Sequence, residues 1–374
     1  MKKTILFLFW ILTTSWSGFS NNQIEISLLT CSSGEETFTA WGHSAMRIQD
    51  KRSNIDIVYN FGLFDFNTPN FYMKFIKGKL KYKLGVHRTQ DFYNSYLLED
   101  RQIIEQELNL SEESEENIIS TLQYLYKPEN RYYYYSFVKK NCTSELRDLI
   151  FENVPIDFTN TTTEKTYRDQ IHEFLTDSPW LRFGMSLIMG YKVDRKINKF
   201  ESMFLPYYLY HGLKDLNKNE EQLVKREQTF NNNADLQESY PFFVRPVFVL
   251  FVLFLITIFI RSGKLEATIL LVTGITGLVI FTVSLITEHP ELRYNLNPLW
   301  INPLYIALAF MNNKTSLKRY LAILLQVLLI VMIPVWLFKV QYFEWPYLPI
   351  LLILSLYNLR IIYPQKKKKL YIKI

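Results

Sequence analysis

Charge is distributed unevenly along this chain, and that unevenness limits what it can fold into more than any single motif does. Most acidic and basic residues precede residue 240, and long uncharged runs follow. A chain of 374 residues built this way holds two physical systems, one facing water and one facing lipid. Five later stretches approach the roughly 20 mostly apolar residues that a helix needs to cross a bilayer. They are 241–260, with Arg245 near one end; 267–287, without a charge; 294–313, broken by Pro298 and Pro303 and therefore tilted or re-entrant; 320–338; and the shorter 345–359.

Basic residues stay on the cytoplasmic side of a membrane. Arg261 with Lys264, Lys314 with Lys318 and Arg319, and Lys366 to Lys369 fall on one side of a five-span arrangement, while the opposite loops carry only Arg293 and Lys339. The tail is therefore expected in the cytoplasm and residues 21–240 outside the inner membrane. The amino terminus agrees: Lys2 and Lys3, an apolar run over 5–12 and the sequence Ser17-Gly18-Phe19-Ser20 read as an export signal cut near Asn21. An uncleaved anchor is the alternative. The expected organisation is a signal over 1–20, an exported domain over 21–240, a helical transmembrane domain over 241–363 and a basic tail over 364–374. The net charge of +6 does not indicate nucleic acid, because Lys2, Lys3, Arg360, Lys366 to Lys369 and Lys373 flank apolar segments. With 28 Phe, 25 Tyr and only 12 Gly, the chain is neither disordered nor collagen-like.

The exported domain reads as α+β. Residues 44–49 and 55–61 have strand character and are joined by the polar turn 50–54. Leu80, Tyr82, Leu84 and Val86 alternate with Lys79, Lys81, Lys83 and Gly85, as in a half-buried strand. Ser111, followed by Glu112, Glu113, Glu115 and Glu116 and then by Ile118, Leu122 and Leu125, marks a capped amphipathic helix. Asn141 caps another, with Leu146, Leu149 and Ile150 on its inner face. No internal repeat is present, and Asn231 to Asn233 is expected in the exposed stretch before the membrane.

The chemistry rests on Cys31 and Cys142. In an oxidising compartment two cysteines often form a disulfide. Cys142, however, opens the helix capped by Asn141, where the helix dipole and unpaired amides favour a thiolate and help form an oxyanion hole. A cysteine nucleophile needs a base. Of His43, His87, His172 and His211, His43 stands at the mouth of a strand, in Trp41-Gly42-His43-Ser44-Ala45-Met46-Arg47, whereas His172 and His211 read as background. A third polar group should orient the imidazole. Pairing across the 50–54 turn nominates Asn60, with Asp65 as the fallback if the register slips. Arg47 shares a face with His43 and is a candidate partner for a lipid phosphate, a surface salt bridge being the plainer alternative. Nothing in the spacing indicates zinc, a serine hydrolase or a nucleotide loop, and no cofactor or metal is expected. The run Tyr132 to Tyr135 reads as packing or as an interface belt.

Histidine precedes cysteine by 99 residues, the reverse of papain. That order resembles the circularly permuted papain-like group, NlpC-type in fold, that includes cell-wall amidases and lecithin:retinol acyltransferase. Longer motifs narrow the resemblance. Leu28-Leu29-Thr30-Cys31 with Gly34, the segment 42–47, 59–66, Asn141-Cys142-Thr143, Met203-Phe204-Leu205-Pro206, His289-Pro290 and 295–300 resemble the Lnb family of bacterial lipoprotein N-acyltransferases over almost the whole mature chain. The resemblance implies a permuted papain-like periplasmic domain followed by a bundle of about five helices. It makes Cys142 the acyl-accepting nucleophile and His43 its base, leaves the third residue open, and fits a free Cys31.

The implied partners are a phospholipid or diacylglyceryl donor and a lipoprotein whose terminal cysteine carries a free α-amine. His289, Asn297 and Trp300, in the outer loop 288–300, are expected to shape the lipid entrance, although a helix-end histidine at the interface accounts for His289 equally. Two other readings stay open: an amidase of the cell wall or a phospholipase with the same Cys–His pair, and a non-catalytic membrane scaffold bridged by Cys31 and Cys142.

Overall fold

The computed structural model describes residues 24–218, 220–231, 241–312 and 315–364. The export signal and Lys366 to Lys369 lie outside these residues, as do Asn232 and Asn233. Seven strands form one sheet: β1 (Ile24–Cys31), β2 (His43–Asp50), β3 (Ile55–Leu63), β4 (Lys81–Arg88), β5 (Ile103–Leu108), β6 (Tyr132–Tyr134) and β7 (Val224–Phe230). Their order is β7-β5-β1-β2-β3-β4-β6 with every neighbour antiparallel. The expected hairpin is β2–β3. Its turn is closed by Asp50, whose carboxylate accepts from the backbone of Arg52 at 2.9 Å, and by Asn54 at a φ of 53°.

The helices that pack on this sheet, or extend from it toward the apolar half, are α1 (Phe71–Ile76), α2 (Thr89–Leu97), α3 (Glu112–Tyr126), α4 (Cys142–Asn153), α5 (Tyr167–Glu173), α6 (Pro179–Ile188) and α7 (Pro206–Lys214). Strand alternation sorts side chains onto two faces. Leu28, Met46, Tyr59, Phe61 and Leu84 meet Ile118 and Leu122 of α3 and Leu146, Leu149 and Ile150 of α4. Leu29, Cys31, Ala45 and Val58 meet Phe92 and Tyr93 of α2. Both capped helices read from the sequence form as expected. Ser111 accepts from the Ser114 amide at 3.3 Å, and Asn141 caps α4.

The carboxyl half is helical: α8 (Pro246–Phe259), α9 (Gly263–Ile286), α10 (Leu304–Phe310), α11 (Ser316–Leu337) and α12 (Tyr347–Ile362). Two of them, α9 and α11, are long and apolar enough to cross a membrane. Over its described residues, 294–312, the third expected span is not a continuous helix. It runs irregularly with a single 3-10 turn at Asn297–Leu299, and α10 has only seven residues. Pro298 and Pro303 withhold the amides a helix would need there. Irregular backbone at membrane depth is tolerated only where protein groups satisfy it. Here Gln341 accepts from the Leu296 amide at 2.8 Å, and the Asn295 side chain accepts from the Asn297 amide at 2.9 Å. Gly274 and Gly277 let α9 approach this segment; a Cβ on Gly277 would fall 1.7 Å from the Ile301 carbonyl oxygen.

The two halves are joined by buried polar groups. Asn295 donates to the carbonyls of Leu187 and Ile188 at 2.7 and 3.0 Å, and Asn297 donates to Ser186 and Leu187 at 3.2 and 2.9 Å, all at the end of α6. Arg168 of α5 bonds Asp194 at 2.5 Å, and the same carboxylate accepts from the Tyr342 amide at 3.1 Å. Glu344 accepts from Arg182 at 2.7 Å and from Ser186 at 3.2 Å. The Ser186 hydroxyl in turn lies 3.0 Å from His172 Nε2.

Candidate active site

Asn141 organises the start of α4. Its Oδ1 accepts from the amides of Thr143 and Ser144 at 2.8 and 2.9 Å, while Ser144 Oγ accepts from the Asn141 amide at 2.8 Å. Its Nδ2 donates to the carbonyls of Phe137 at 2.6 Å and Phe204 at 3.0 Å, tying two distant segments to the helix start. Two of the amides expected to be free are thus occupied. The Cys142 N–H, the first of the helix, has no carbonyl one turn behind it.

Gly42, at a φ of +79°, delivers the chain into β2 against β1; a Cβ there would sit 2.5 Å from the Cys31 carbonyl oxygen. His43 is the first residue of β2. Met46 pairs with Tyr59, so Asn60 lies diagonally from His43 on the same face rather than directly opposite. His43 Nε2 and Asn60 Oδ1 are 2.7 Å apart. That contact makes Nε2 the protonated donor and leaves Nδ1 for the thiol, with which the imidazole shares a hydrogen bond. Gly62 lies between the partners: a Cβ on it would stand 3.4 Å from Cβ of Cys142 and 3.9 Å from Cε1 of His43. Tyr96 stacks on the imidazole at 6.3 Å with planes 14° apart, and Arg101 lies over Tyr96 at 4.5 Å while donating to the Ser32 carbonyl.

Burial pushes the Cys142 thiol up, but the charge and hydrogen bond of His43, the Ser44 amide and the Thr143 hydroxyl outweigh it and bring the thiol down to about 7. For His43, burial works against the charged form, and the Cys142 thiolate with Asn60 reverses that and raises it. The pair therefore favours thiolate and imidazolium together near neutral pH. Cys31 is buried, unbonded to Cys142 and held far above the ordinary thiol range by desolvation. The bridge of the scaffold reading is absent, and alkylation at neutral pH should report Cys142 alone. Its iodoacetamide rate is expected to rise with a midpoint near pH 7. In His43→Ala the midpoint should move upward, because only the Ser44 amide and the Thr143 hydroxyl then oppose burial; an unmoved midpoint would sever the thiol from the imidazole.

The pair opens into a cleft of about 280 Å³ lined by Phe38, Trp41, Leu63, Phe64, Tyr82, Tyr96, Arg101, Tyr135, Phe137, Phe204, Leu205 and Pro206, among others. Sequence reasoning missed most of this wall. The segment 203–206 stands out in the sequence without a role, Tyr135 reads there as packing or an interface belt, and nothing local marks Tyr96 or Arg101.

The other candidates lie elsewhere. Arg47 donates to Asp56 at 2.8 and 2.7 Å and to Glu105 at 2.9 Å, so its charge braces β2 against β3 and β5 instead of meeting a phosphate. Asp65 is exposed and caps a turn, accepting from the Asn67 amide at 2.8 Å. His289 is buried, with Nε2 2.7 Å from the Phe75 carbonyl oxygen and Nδ1 3.6 Å from Glu291. Trp300 is fully buried and donates to Asn297 at 2.9 Å. Neither Asn297 nor Trp300 reaches the cleft: both complete the irregular membrane segment, where a polar side chain is kept to satisfy backbone. His172 belongs to the joint between the halves, where burial, followed by Arg182 and Arg168, holds it down to about 3 and therefore neutral.

Comparison with known families decides the relationship. A model of the Lnb N-terminal periplasmic domain matches residues 14–172, and a model of the Lnb transmembrane domain matches residues 237–369. The chain belongs to the Lnb family. No curated protein and no solved structure matches it. Both Lnb domains are present in order, which describes an inner-membrane protein with a periplasmic amino-terminal domain and agrees with a membrane acyltransferase of the lipoprotein N-acyltransferase type. The match to the Lnb periplasmic domain takes in His43, Asn60 and Cys142 and stops before the cleft wall at 204–206.

Proposed function

We propose that this protein transfers an acyl chain from a membrane lipid ester to the α-amine of a lipoprotein's terminal cysteine, through a thioester on Cys142. The observation that carries the reading is a thiol lowered to about 7, paired with His43, inside an aromatic cleft whose wall is tied to a membrane-domain loop: the Phe137 amide donates to Glu291 at 2.8 Å. Such a cleft suits an acyl chain better than a wall peptide.

His43, oriented by Asn60, takes the Cys142 proton. The thiolate attacks the ester carbonyl, with the Cys142 amide as the candidate donor to the oxyanion. The ester C–O bond breaks as the C–S bond forms, and the imidazolium returns its proton to the departing lyso-lipid oxygen. The neutral amine of the acceptor then attacks the thioester. A C–N bond forms, the C–S bond breaks, and the amine proton passes through His43 to the sulfur. An amide is more stable than a thioester, so the second step runs forward without ATP.

His43 preceding Cys142 in an antiparallel sheet domain supports a permuted papain-like fold. On this reading residues 21–240 form the periplasmic catalytic domain behind a signal at 1–20, residues 241–363 span the inner membrane about five times, and the tail from 364 is cytoplasmic. The test is mass spectrometry of the amino-terminal peptide of a reporter lipoprotein, in cells depleted of their own N-acyltransferase and supplied with this protein. An added amide-linked acyl chain is expected. A free amine on the reporter, with the protein expressed and inserted, would reject the acceptor; release of free fatty acid instead would favour a phospholipase.

A further inference from the structure

The cleft continues beyond its own rim. Phe38 and Phe64 line it and pack edge to face with centroids 5.8 Å apart; Phe64 contacts Phe66 at 4.9 Å and Phe71 at 5.8 Å. Phe71 opens α1, a helix with no buried residue, whose Tyr72, Met73 and Phe75 are 75%, 50% and 40% exposed. A six-residue helix gains little from its own hydrogen bonds, and packing of an apolar face normally holds such a helix in place. Here Phe71 packs on Phe64 and Phe66, and Phe75 lies beside the His289 ring, but Tyr72, Met73 and the outer side of Phe66 stay bare, and a contiguous exposed apolar patch marks an interaction surface.

The location of α1 identifies the partner. The Phe75 carbonyl oxygen lies 2.7 Å from His289 Nε2, the Lys77 carbonyl accepts from the Glu288 amide at 3.1 Å, and a Cβ on Gly78, at a φ of +70°, would press on Glu288 at 3.3 Å. Residues 288 and 289 come just after Thr287, the C-cap of α9, a helix long and apolar enough to cross the membrane, so α1 is fixed at the level where that helix leaves the lipid. The same segment carries Lys74, Lys77 and Lys79, of which Lys79 pairs with Glu288 at 3.1 Å. Aromatic side chains with flanking lysines suit the boundary between headgroups and acyl chains.

We propose that α1 and the Phe64, Phe66 and Phe71 ladder insert among the acyl chains of the periplasmic leaflet and form the route by which a phospholipid chain reaches Cys142. This rests on the acyl-transfer reading and adds its lipid entrance, which lies at residues 64–75 and not along 295–300.

The test has two arms, both with the full chain in phospholipid vesicles. In a Cys142→Ser background, Phe66→Cys or Ile55→Cys is labelled with bimane and challenged with brominated acyl chains. Ile55 is 44% exposed at the far end of β3 and serves as the control. Quenching is expected at position 66 and not at position 55. In the second arm, Phe66→Ser with Phe71→Ser is compared with the parent for acylation of Cys142 by vesicle phospholipid relative to a monomeric short-chain phospholipid. That ratio is expected to fall about tenfold, a conservative figure for removing two aromatic contacts from the lipid path. The iodoacetamide rate of Cys142 shows that the double variant is folded; if it is not, the quenching arm decides. No quenching at 66, or equal quenching at both positions, overturns the membrane placement, and an unchanged ratio overturns the route. Quenching at 66 in a parent whose Cys142 accepts acyl groups from neither phospholipid overturns the acyl-transfer reading and leaves the lipid contact standing.

Discussion

Cys142→Ala is expected to lower N-acylation of the reporter lipoprotein by about three orders of magnitude or more, the scale on which removing a covalent nucleophile acts. The loss should be chemical and not structural. The cap that starts α4 is made by Asn141 and Ser144, and the helix is anchored by Leu146, Leu149 and Ile150, none of which touches the sulfur's role. Cys142→Ser should not restore the reaction, because an alcohol in this site titrates far above the range that His43 can serve. The measurement is the acylated fraction of the amino-terminal peptide at matched protein levels, with an intact melting profile as the control. Substantial acylation by the alanine form would remove the thioester from the mechanism.

Asp194→Ala is expected to cost about 3–5 kcal/mol, the usual scale for removing one partner of a buried ion pair. Arg168, which also reaches the carbonyls of Ser186, Met189 and Gly190, would be left with a buried charge lacking its carboxylate. The Tyr342 amide would lose its acceptor at the same time, so the joint between the two halves should loosen along with the exported domain. A large drop in the melting midpoint of the detergent-solubilised protein is the expected result. Replacing both members with apolar residues, Arg168→Met with Asp194→Leu, should recover much of it. If Asp194→Ala melts like the parent, the pair is not what holds the joint.

What could be read from the sequence follows from how local each signal is. Helix caps depend on two or three neighbouring residues, so the starts of α3 and α4 were visible, and the α4 cap brought Cys142 with it. The β2–β3 hairpin has a short polar turn, which nominated Asn60 as the partner of His43 but left the register open by one residue. Strand β5 was hidden because Glu105, Gln106 and Glu107 are buried in it, a pattern that reads as loop until Arg47, Lys225 and Arg226 arrive from other strands. The wall formed by Tyr96, Arg101 and Phe204 comes from segments far apart in sequence, and no period or spacing announces such a meeting. Asn297 and Trp300 were noticed for the right reason and assigned the wrong role: a distinctive polar motif near a membrane marks a constraint, and here the constraint is unsatisfied backbone.

The dependence of the irregular segment 294–303 on α6 bears on how the chain is assembled. Asn295 and Asn297, which order that segment, are themselves held by the carbonyls that end α6, a helix of the exported half. The exported half is synthesised first, so those acceptors precede the segment that needs them. The last irregular turn of the bilayer portion can therefore mature only on a periplasmic half that is already folded. Biogenesis should run in that direction, and the bilayer portion expressed alone should be a poor folding unit, prone to quality-control degradation until its periplasmic template is supplied.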